Sequence, residues 1–548
     1  MKTFALLLTA LLAASASAQT PAANCTGSRD VRLVNGKIAT MDAKGSIVRE
    51  VTIQNGVLTA VGAGSGRLSP CTKTIDLKGR TAVPGLVDNH NHILLLGLRP
   101  GRDTRLETAA SIADVQAIIR ARAKNVPAGE FITAMGGWNV AQFAEKRMPT
   151  LAELDAADTT HPVIVYQSFT GPSAVNTKAK DFFSSNSIAV SDSGAIAINA
   201  PSIAALNALR SIQTFADQMR GTMDALTYSA SVGVTTDVDM GAFLNPGLPD
   251  IQDSFTADTL ASFNPFTMYN PIAALHRDRS AKMPVRVRVF FLSMDTRPDI
   301  PMLKQRLLNN FKEFGDDMLR LSGVGEFATS WPLFGNAPPT NYRTALEFIA
   351  KEGWAFQQHS LSPAEDKLTI DTFEAVNKTT PIADLHWSIA HAPRIDAATI
   401  ARFKAIGAGI AIHPYTYLAG QPGAGPPVRT IVESGIHAGA GSDSAQISTL
   451  NPWLMIYFMV TGKNSSGTTI NAGQTIDRMT ALRLYTADNG WFLHEEGRLG
   501  SIEVGKLGDI AVLSADYFDP AKVSDEEIKK LKSVLTVVDG KVVYDETR

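Results

Sequence analysis

The chain has 548 residues, with 51 lysines and arginines against 53 aspartates and glutamates, and 45% of its residues are hydrophobic. This charge balance excludes an electrostatic nucleic-acid binder, and the apolar fraction excludes a disordered chain. Length and composition together predict a globular protein with one large domain and an accessory domain.

The first residues carry the three features of a signal peptide in order. Lys2 is positively charged, residues 4–14 form an apolar stretch too short to span a bilayer, and Ala16-Ser17-Ala18 fits a cleavage site. We therefore expect residues 1–18 to be removed and the mature protein to be periplasmic or secreted, with no membrane contact. The alternative is a buried N-terminal helix.

Cys25 and Cys71 are the two cysteines of the chain. An oxidising compartment favours a disulfide bond between them. The alternative is a pair of free, buried thiols.

Both ends of the chain contain short β-rich runs separated by turn dipeptides. Asn35-Gly36 and Asn55-Gly56 occur near the N-terminus, and Asp539-Gly540 occurs near the C-terminus. Such dipeptides between β-rich runs predict hairpins. We expect residues 19–84 and 496–548 to build one small β-sandwich from both termini.

The middle of the chain, residues 85–495, alternates strand-like and helix-like segments. Eight segments have the character of buried strands: 86–92, 232–239, 285–292, 323–328, 354–360, 386–391, 409–413 and 437–443. Helical stretches such as 370–376 and 397–406 lie between them. Eight β/α units predict a (β/α)8 TIM barrel, with an insertion at about 98–228 that holds strand-like runs of its own.

Imidazoles and acids follow several of these strands. His90 and His92 are two apart at the end of the first strand, so both side chains lie on one face. Four other strands end in single groups of this kind: Glu326, His359, His391 and Asp443. A charged group at the end of a buried strand is costly unless it is paired or metal-bound. Six such groups at one barrel mouth indicate a metal centre.

The chain resembles the amidohydrolase superfamily. Residues 85–92, Gly-Leu-Val-Asp-Asn-His-Asn-His, look like its first-strand signature, and Gly441-Ser442-Asp443 resembles its last-strand motif. Residues 481–486 and 497–510 are similar to its closing helix and return strand. Residues 137–139 and 233–236 also fit the amidohydrolase-3 branch, which includes N-substituted formamide deformylases.

The resemblance implies a role for each residue at the barrel mouth. His90, His92 and Asp443 would hold one divalent ion, and His359 and His391 would hold a second. Many members bridge the ions with a carboxylated lysine; residues 323–328 contain no lysine, and Glu326 is the matching acid. We expect two divalent ions, with zinc as the expected metal. A metal-activated hydroxide would attack the carbonyl carbon and so break a C–N bond, with Asp443 as general base and acid.

This pattern predicts a hydrolase of a small-molecule amide. The alternatives are a lactone, carbamate or ester hydrolase on the same scaffold, or a catalytically inactive binding protein. Candidate substrate contacts are Trp138, Tyr166, Arg394, His413 and Tyr415, each with a structural role as the alternative. We expect the protein to bind a small-molecule substrate and not to bind nucleic acid. Assembly into a homo-oligomer is an open alternative.

Overall fold

The computed structural model describes residues 25–64, 68–168, 170–241, 268–278, 283–331, 338–444 and 448–547. The predicted signal peptide, residues 1–18, lies outside the described residues.

The strands fall into groups along the chain. The N-terminal strands are β1 (Val31–Val34), β2 (Lys37–Ala39), β3 (Ile47–Val48), β4 (Val51–Gln54), β5 (Val57–Val61), β6 (Lys73–Asp76) and β7 (Thr81–Pro84). Strand β8 (Leu86–Asn91) precedes the insertion, which contains β9 (Arg102–Asp103), β10 (Ile132–Met135), β11 (Val163–Tyr166), β12 (Ser173–Val175) and β13 (Ala195–Ile196). The strands that follow are β14 (Val234–Asp239), β15 (Arg286–Phe291), β16 (Leu319–Glu326), β17 (Ala355–Ser360), β18 (Ser388–His391), β19 (Gly409–Ile412) and β20 (His437–Ala440). The chain finishes with β21 (Ile510–Leu513), β22 (Ser533–Val538) and β23 (Lys541–Asp545).

Helices connect most of these strands. The first six are α1 (Ile93–Gly97), α2 (Ile112–Ala123), α3 (Leu151–Ala157), α4 (Thr177–Ser185), α5 (Ala200–Ser211) and α6 (Phe215–Ser231). The others are α7 (Asn270–Arg277), α8 (Pro301–Leu308), α9 (Pro339–Lys351), α10 (Pro363–Asn377), α11 (Ala397–Ala405), α12 (Val428–Glu433), α13 (Pro452–Thr461) and α14 (Arg478–Leu484). Within the described ranges, no helix is both long enough and apolar enough to cross a bilayer.

Eight parallel strands form the barrel. Strand β8 pairs with β14, and the order then runs through β15, β16, β17, β18 and β19 to β20. The ring closes between β20 and β8, where Asp443 N–H donates to His90 O (2.8 Å) and His92 N–H donates to Ser444 O (3.1 Å). The predicted TIM barrel is confirmed, with strand ends close to those expected; β16 begins earlier, at Leu319.

Strands from both chain ends share a second layer. One sheet has the order β5-β4-β1-β6, and the other has the order β23-β22-β21-β7-β2-β3. Apolar residues of both sheets, such as Leu33, Ile53, Ile510 and Val537, form one buried cluster. The predicted sandwich of both termini is therefore confirmed, while the exact domain limits stay a prediction. The structure also contains the predicted Cys25–Cys71 disulfide.

Two of the three predicted turn dipeptides form hairpins, and the third does not. Asn55-Gly56 and Asp539-Gly540 have positive φ at both positions and join β4 to β5 and β22 to β23, as the hairpin prediction requires. The hairpin predicted at Asn35-Gly36 is wrong. Strand β1 pairs with β4 and β6, whereas β2 pairs with β3 and β7, so the chain passes here from one sheet to the other. A Cβ atom at Gly36 would lie 2.6 Å from Leu77 Cδ1, so a larger residue at this crossing would displace the Leu77 side chain.

The insertion between β8 and β14 has its own sheet. Its strand order is β13-β12-β11-β10-β9. Two of its strands, β10 and β11, match the runs predicted at 131–135 and 163–167. Separate hydrophobic clusters that include Leu154 and Phe183 show that this sheet has packing of its own beside the barrel.

Candidate metal centre

Seven polar side chains lie at the carboxyl ends of six barrel strands. They are His90 and His92 of β8, Glu326 of β16, His359 of β17, His391 of β18, His413 after β19 and Asp443 after β20. None is more than 9% exposed. In a TIM barrel this face holds the active site, so the structure brings all six predicted ligands to the expected end.

Four of these side chains point their ligand atoms at one another. His92 Nε2 lies 3.3 Å from Glu326 Oε1 and 3.5 Å from Asp443 Oδ1. His90 Nε2 lies 3.7 Å from both Asp443 Oδ1 and Glu326 Oε2. Ligands about 2.1 Å from a tetrahedral zinc ion are about 3.4 Å apart, so these spacings suit a single ion.

The other nitrogen of each β8 imidazole has a partner that can only accept a hydrogen bond. His90 Nδ1 contacts Gln357 Oε1, and His92 Nδ1 lies 2.5 Å from the carbonyl oxygen of Gly241. With an amide oxygen as acceptor, Nδ1 must carry the proton, which leaves the lone pair on Nε2. When its Nε2 is deprotonated, each ring is therefore in the tautomer that a metal ion requires.

Glu326 also reaches the remaining pair of histidines. Its Oε2 atom lies 2.6 Å from His359 Nδ1 and 3.4 Å from His391 Nε2. These three residues have ligand atoms within 4.8 Å of one another. The cluster thus has two halves, one formed by His90, His92 and Asp443 and the other by His359 and His391. Since Oε1 faces His92, the two carboxylate oxygens of Glu326 connect these halves.

Unpaired nitrogens in the cluster fit a metal. Nε2 of His90 and Nε2 of His359 are buried and have no hydrogen-bond partner among the described residues. An unpaired buried polar atom is costly, and a divalent cation satisfies an imidazole lone pair directly. Two carboxylates and four imidazoles form a donor set that suits zinc and similar divalent metals.

The charges of the cluster are coupled. Burial lowers the pKa of His90 to about 4, so this ring is neutral. Burial alone would raise the pKa of Glu326 and of Asp443, yet the neighbouring imidazoles hold both pKa values below their usual range. Both carboxylates are therefore ionised at neutral pH.

The carboxylates act in turn on two of the imidazoles. Burial opposes a charge on His92 and His359, but the charge and hydrogen bonds of nearby carboxylates raise the pKa of both rings above 6.5. A metal ion must replace such ring protons, so metal binding should release protons to solvent.

Three further acids lie beneath the cluster. Asp239 Oδ1 accepts from Leu94 N–H (3.0 Å) and its Oδ2 accepts from Gly241 N–H (2.9 Å), which fixes the carbonyl that orients His92. Asp88 Oδ1 accepts from Ser442 N–H (2.9 Å) and joins the first and last barrel strands. Asp237 Oδ1 accepts from Asn91 Nδ2 (2.6 Å). Burial raises the pKa of Asp88 and Asp239 to about 6 and that of Asp237 to about 8.

Gln357 and Asp239 are not among the residues predicted from the sequence, although each carries a signal there. Gln357 is two residues before His359 in β17, so the strand period places both side chains on the same face. Asp239 is the last residue of β14, whose six residues are all buried, so an acid at the end of a buried strand is the signal it carries.

Three of the predicted substrate contacts lie at or near the cluster. The His413 ring centroid is 4.3 Å from that of His90. Tyr415 meets His391 edge-on at 6.0 Å between ring centroids, and burial together with the charge of Asp443 raises its pKa. Arg394 is exposed, and its charge acts on Tyr415 in the opposite direction.

The other two predicted contacts lie in the insertion. Trp138 is 1% exposed, stacks on Phe143 at 5.5 Å between centroids, and donates from Nε1 to Ala134 O at 3.4 Å. Tyr166 belongs to the hydrophobic cluster that includes Phe183. Packing within the insertion accounts for the burial of both rings, and their contact with substrate stays a prediction.

The chain is similar in sequence or in fold to several known proteins. The chain is 23% identical over 566 positions to the N-substituted formamide deformylase of Arthrobacter pascens, across 95% of this chain and 99% of the relative. A solved structure of an uncharacterized metal-dependent hydrolase from Pyrococcus horikoshii has a TM-score of 0.55 at 18% identity, covering 89% of this chain and 98% of its own. An atrazine chlorohydrolase from Arthrobacter aurescens, solved in complex with zinc, has a TM-score of 0.55 at 16% identity, covering 94% and 96%.

The fold similarity alone does not assign chemistry, but the sequence profile of the amidohydrolase family matches residues 73–544. That range contains the barrel and every member of the buried cluster. The resemblance seen in the strand-end motifs is thus confirmed: the chain belongs to the amidohydrolase family and is a metal-dependent hydrolase that acts on carbon–nitrogen bonds.

Proposed function

We propose that the protein hydrolyses an amide-type C–N bond of a small molecule at a centre of two divalent metal ions. The observation that carries the proposal is the position of Glu326. One carboxylate oxygen faces His92 and the other faces His359 and His391, so a single anion reaches both halves of the cluster.

Each half would hold one ion. His90, His92 and Asp443 would bind the first, His359 and His391 the second, and Glu326 would bridge them. When bound, divalent ions of this kind lower the pKa of a coordinated water and polarise a carbonyl group. Mixed imidazole and carboxylate ligation makes zinc the expected metal.

Asp443 would move the protons of the reaction. Its Oδ1 atom faces His90 and His92, while its Oδ2 atom lies 3.7 Å from His391 Nδ1. The imidazoles keep this carboxylate ionised against the effect of burial. It would accept a proton from the attacking water and pass that proton to the nitrogen of the leaving amine.

Because one relative is an N-substituted formamide deformylase, the first substrates to test are N-substituted formamides and other small amides. Lactones, carbamates and esters present the same kind of carbonyl and are the alternatives. The complete set of six ligands argues against a binding protein that has lost its activity.

We further propose that the enzyme works outside the cytoplasm. The order of signal features in residues 1–18 and the disulfide between Cys25 and Cys71 support export. Mass analysis of protein recovered from the periplasm tests this: a mature N-terminus near Gln19 supports export, and an intact Met1 in that fraction contradicts it.

The catalytic proposal is tested by loading purified protein with zinc and assaying formamides, N-acyl amino acids, lactones, carbamates and aryl esters in parallel. The expected result is fastest turnover of an amide, with activity lost after chelation and regained with zinc. Turnover of a lactone or ester alone would reassign the substrate class. Equal activity of the chelated enzyme would overturn the metal-dependent mechanism.

A further inference from the structure

His413 is the imidazole of the cluster to which the family resemblance assigns no ligand role. It directly follows β19 and is fully buried. Its Nδ1 atom lies 3.0 Å from Nδ1 of His391, within hydrogen-bond distance. The two ring centroids are 4.7 Å apart and nearly perpendicular, at 75°.

Two ring nitrogens at this distance must differ in protonation. A neutral imidazole has one N–H donor and one lone pair. If both Nδ1 atoms carried protons, two hydrogens would meet in a buried site; if neither did, two lone pairs would. One ring therefore donates from Nδ1 and the other accepts there.

The other end of His391 decides which ring donates. His391 Nε2 lies 3.4 Å from Glu326 Oε2, on the side of the proposed second ion. A metal-bound nitrogen must present its lone pair, so the ring proton of His391 must then be on Nδ1. Asp443 Oδ2 is 3.7 Å from that Nδ1, too far for a hydrogen bond, whereas His413 is in range.

We propose that His413 is a positioning residue: it accepts the Nδ1 proton of His391 and so directs Nε2 of His391 toward the second metal ion. This inference rests on the proposed two-metal function. Metal-ligating histidines commonly donate their other N–H to a carbonyl or a carboxylate, as His90 and His92 do here to Gln357 and Gly241. For His391, the acceptor of this hydrogen bond is the imidazole of His413 instead of an amide oxygen.

A competing role for His413 is direct ligation. His90, His391 and His413 offer nitrogens within 4.8 Å of one another, and Nε2 of His413 has no hydrogen-bond partner among the described residues. The two roles differ in which substitutions of His413 should preserve metal binding. A positioning residue needs only an acceptor at the Nδ1 position, whereas a ligand needs an imidazole.

Two substitutions separate these roles. His413→Asn places an amide oxygen close to the former Nδ1 and keeps the acceptor, while His413→Leu removes it. The matched control is His437→Leu, which alters an exposed histidine stacked on Trp491 at the opposite end of the barrel. Zinc per chain, zinc affinity by chelator competition and the visible spectrum of the cobalt-loaded protein are measured for each variant, with thermal unfolding as the check on folding.

We expect His413→Leu to bind the second ion about 10- to 100-fold more weakly, as is typical when the partner of a metal-ligating histidine is lost. We expect His413→Asn and His437→Leu to retain both ions and the wild-type cobalt spectrum. Wild-type affinity in His413→Leu would overturn the proposal, and so would an equal loss in His413→Asn, which indicates a ligand.

If His413→Leu does not fold, His413→Gln replaces it, because its longer side chain carries the amide to the Nε2 position instead. Loss of the second ion in His413→Gln with retention in His413→Asn supports the proposal, and retention in both overturns it. Wild-type protein that binds two ions but hydrolyses no amide would refute the proposed substrate class and leave the role of His413 intact.

Discussion

Replacing Glu326 by glutamine tests the centre of the proposed mechanism. The substitution keeps the shape of the side chain and both of its polar atoms but removes one negative charge. The wild-type oxygens lie 3.3 Å from His92 Nε2 and 3.4 Å from His391 Nε2, so the change acts on both halves of the site at once.

The size of the effect follows from the charges involved. Two metal ions in such a centre are roughly 3.5–4 Å apart. At ~4 Å and an effective dielectric near 20, two unit charges interact by about 4 kcal/mol, and dications repel each other more strongly. Four neutral imidazoles cannot offset this repulsion. If the lost anion contributes only the unit-charge value, the second ion should bind about 1000-fold more weakly.

The assay is elemental analysis of metal per chain after dialysis against buffered zinc, together with turnover of the best amide substrate. Zinc content should fall from about two ions per chain toward one or none, and activity should fall with it. Asp295→Asn is the matched control, since Asp295 is a buried acid that caps backbone N–H groups of Met302 and Leu303, outside the cluster. If Glu326→Gln keeps both ions and most activity, Glu326 is not the bridge and the two-metal reasoning fails.

Further predictions concern other parts of the molecule. Asp443→Asn should lower kcat by ~100-fold or more while the thermal midpoint is retained, because it removes the proton acceptor; near-normal turnover would exclude Asp443 from the mechanism. His359→Ala should lower zinc content from about two ions toward one, and an unchanged ratio would refute its role as a ligand. The folded-state pKa of Asp237, about 8, exceeds its ordinary 3.8, so this group's contribution to stability is complete below pH 3.8 and is lost as the pH rises through 8. Urea unfolding of Asp237→Asn should accordingly show a weaker fall in stability over that range, and an identical pH profile would contradict the assignment. Reduction of the Cys25–Cys71 bond, whose ends are 46 residues apart, should lower the free energy of unfolding by about 4 kcal/mol, whereas two alkylatable thiols in the native oxidised protein would show that the bond does not form.

Much of the barrel could be predicted because its signals are local. Each barrel strand is a short segment, largely buried, and a polar group at the end of a strand such as β18 stands out because it would be costly there without a partner. Glu326, His391 and Asp443 carry this signal in the sequence, and the structure places all three at the same mouth.

Contacts between distant segments could not be predicted in this way. Asn35-Gly36 has the composition of a hairpin turn, but β1 and β2 pair instead with β6 and β7, which lie about 40 residues further along the chain. The acceptor for His92 is a backbone carbonyl, that of Gly241, which carries no side-chain signal at all. His413 could be recognised as polar, yet its role depends on one interatomic distance to His391.

The sheet shared by the two chain ends also governs when the molecule can finish folding. Strand β7 is made early and β21 is made late, yet they are hydrogen-bonded neighbours, with Ala82 opposite Val512. Ribosomal synthesis therefore releases the N-terminal strands long before their partner exists, and such long-range pairing is intrinsically slow. A chain truncated before Ile510 would present β7 as an open edge, which invites pairing with other chains. Incomplete translation products of this protein should thus aggregate or be degraded, because they lack β21, the strand that pairs with the edge of β7.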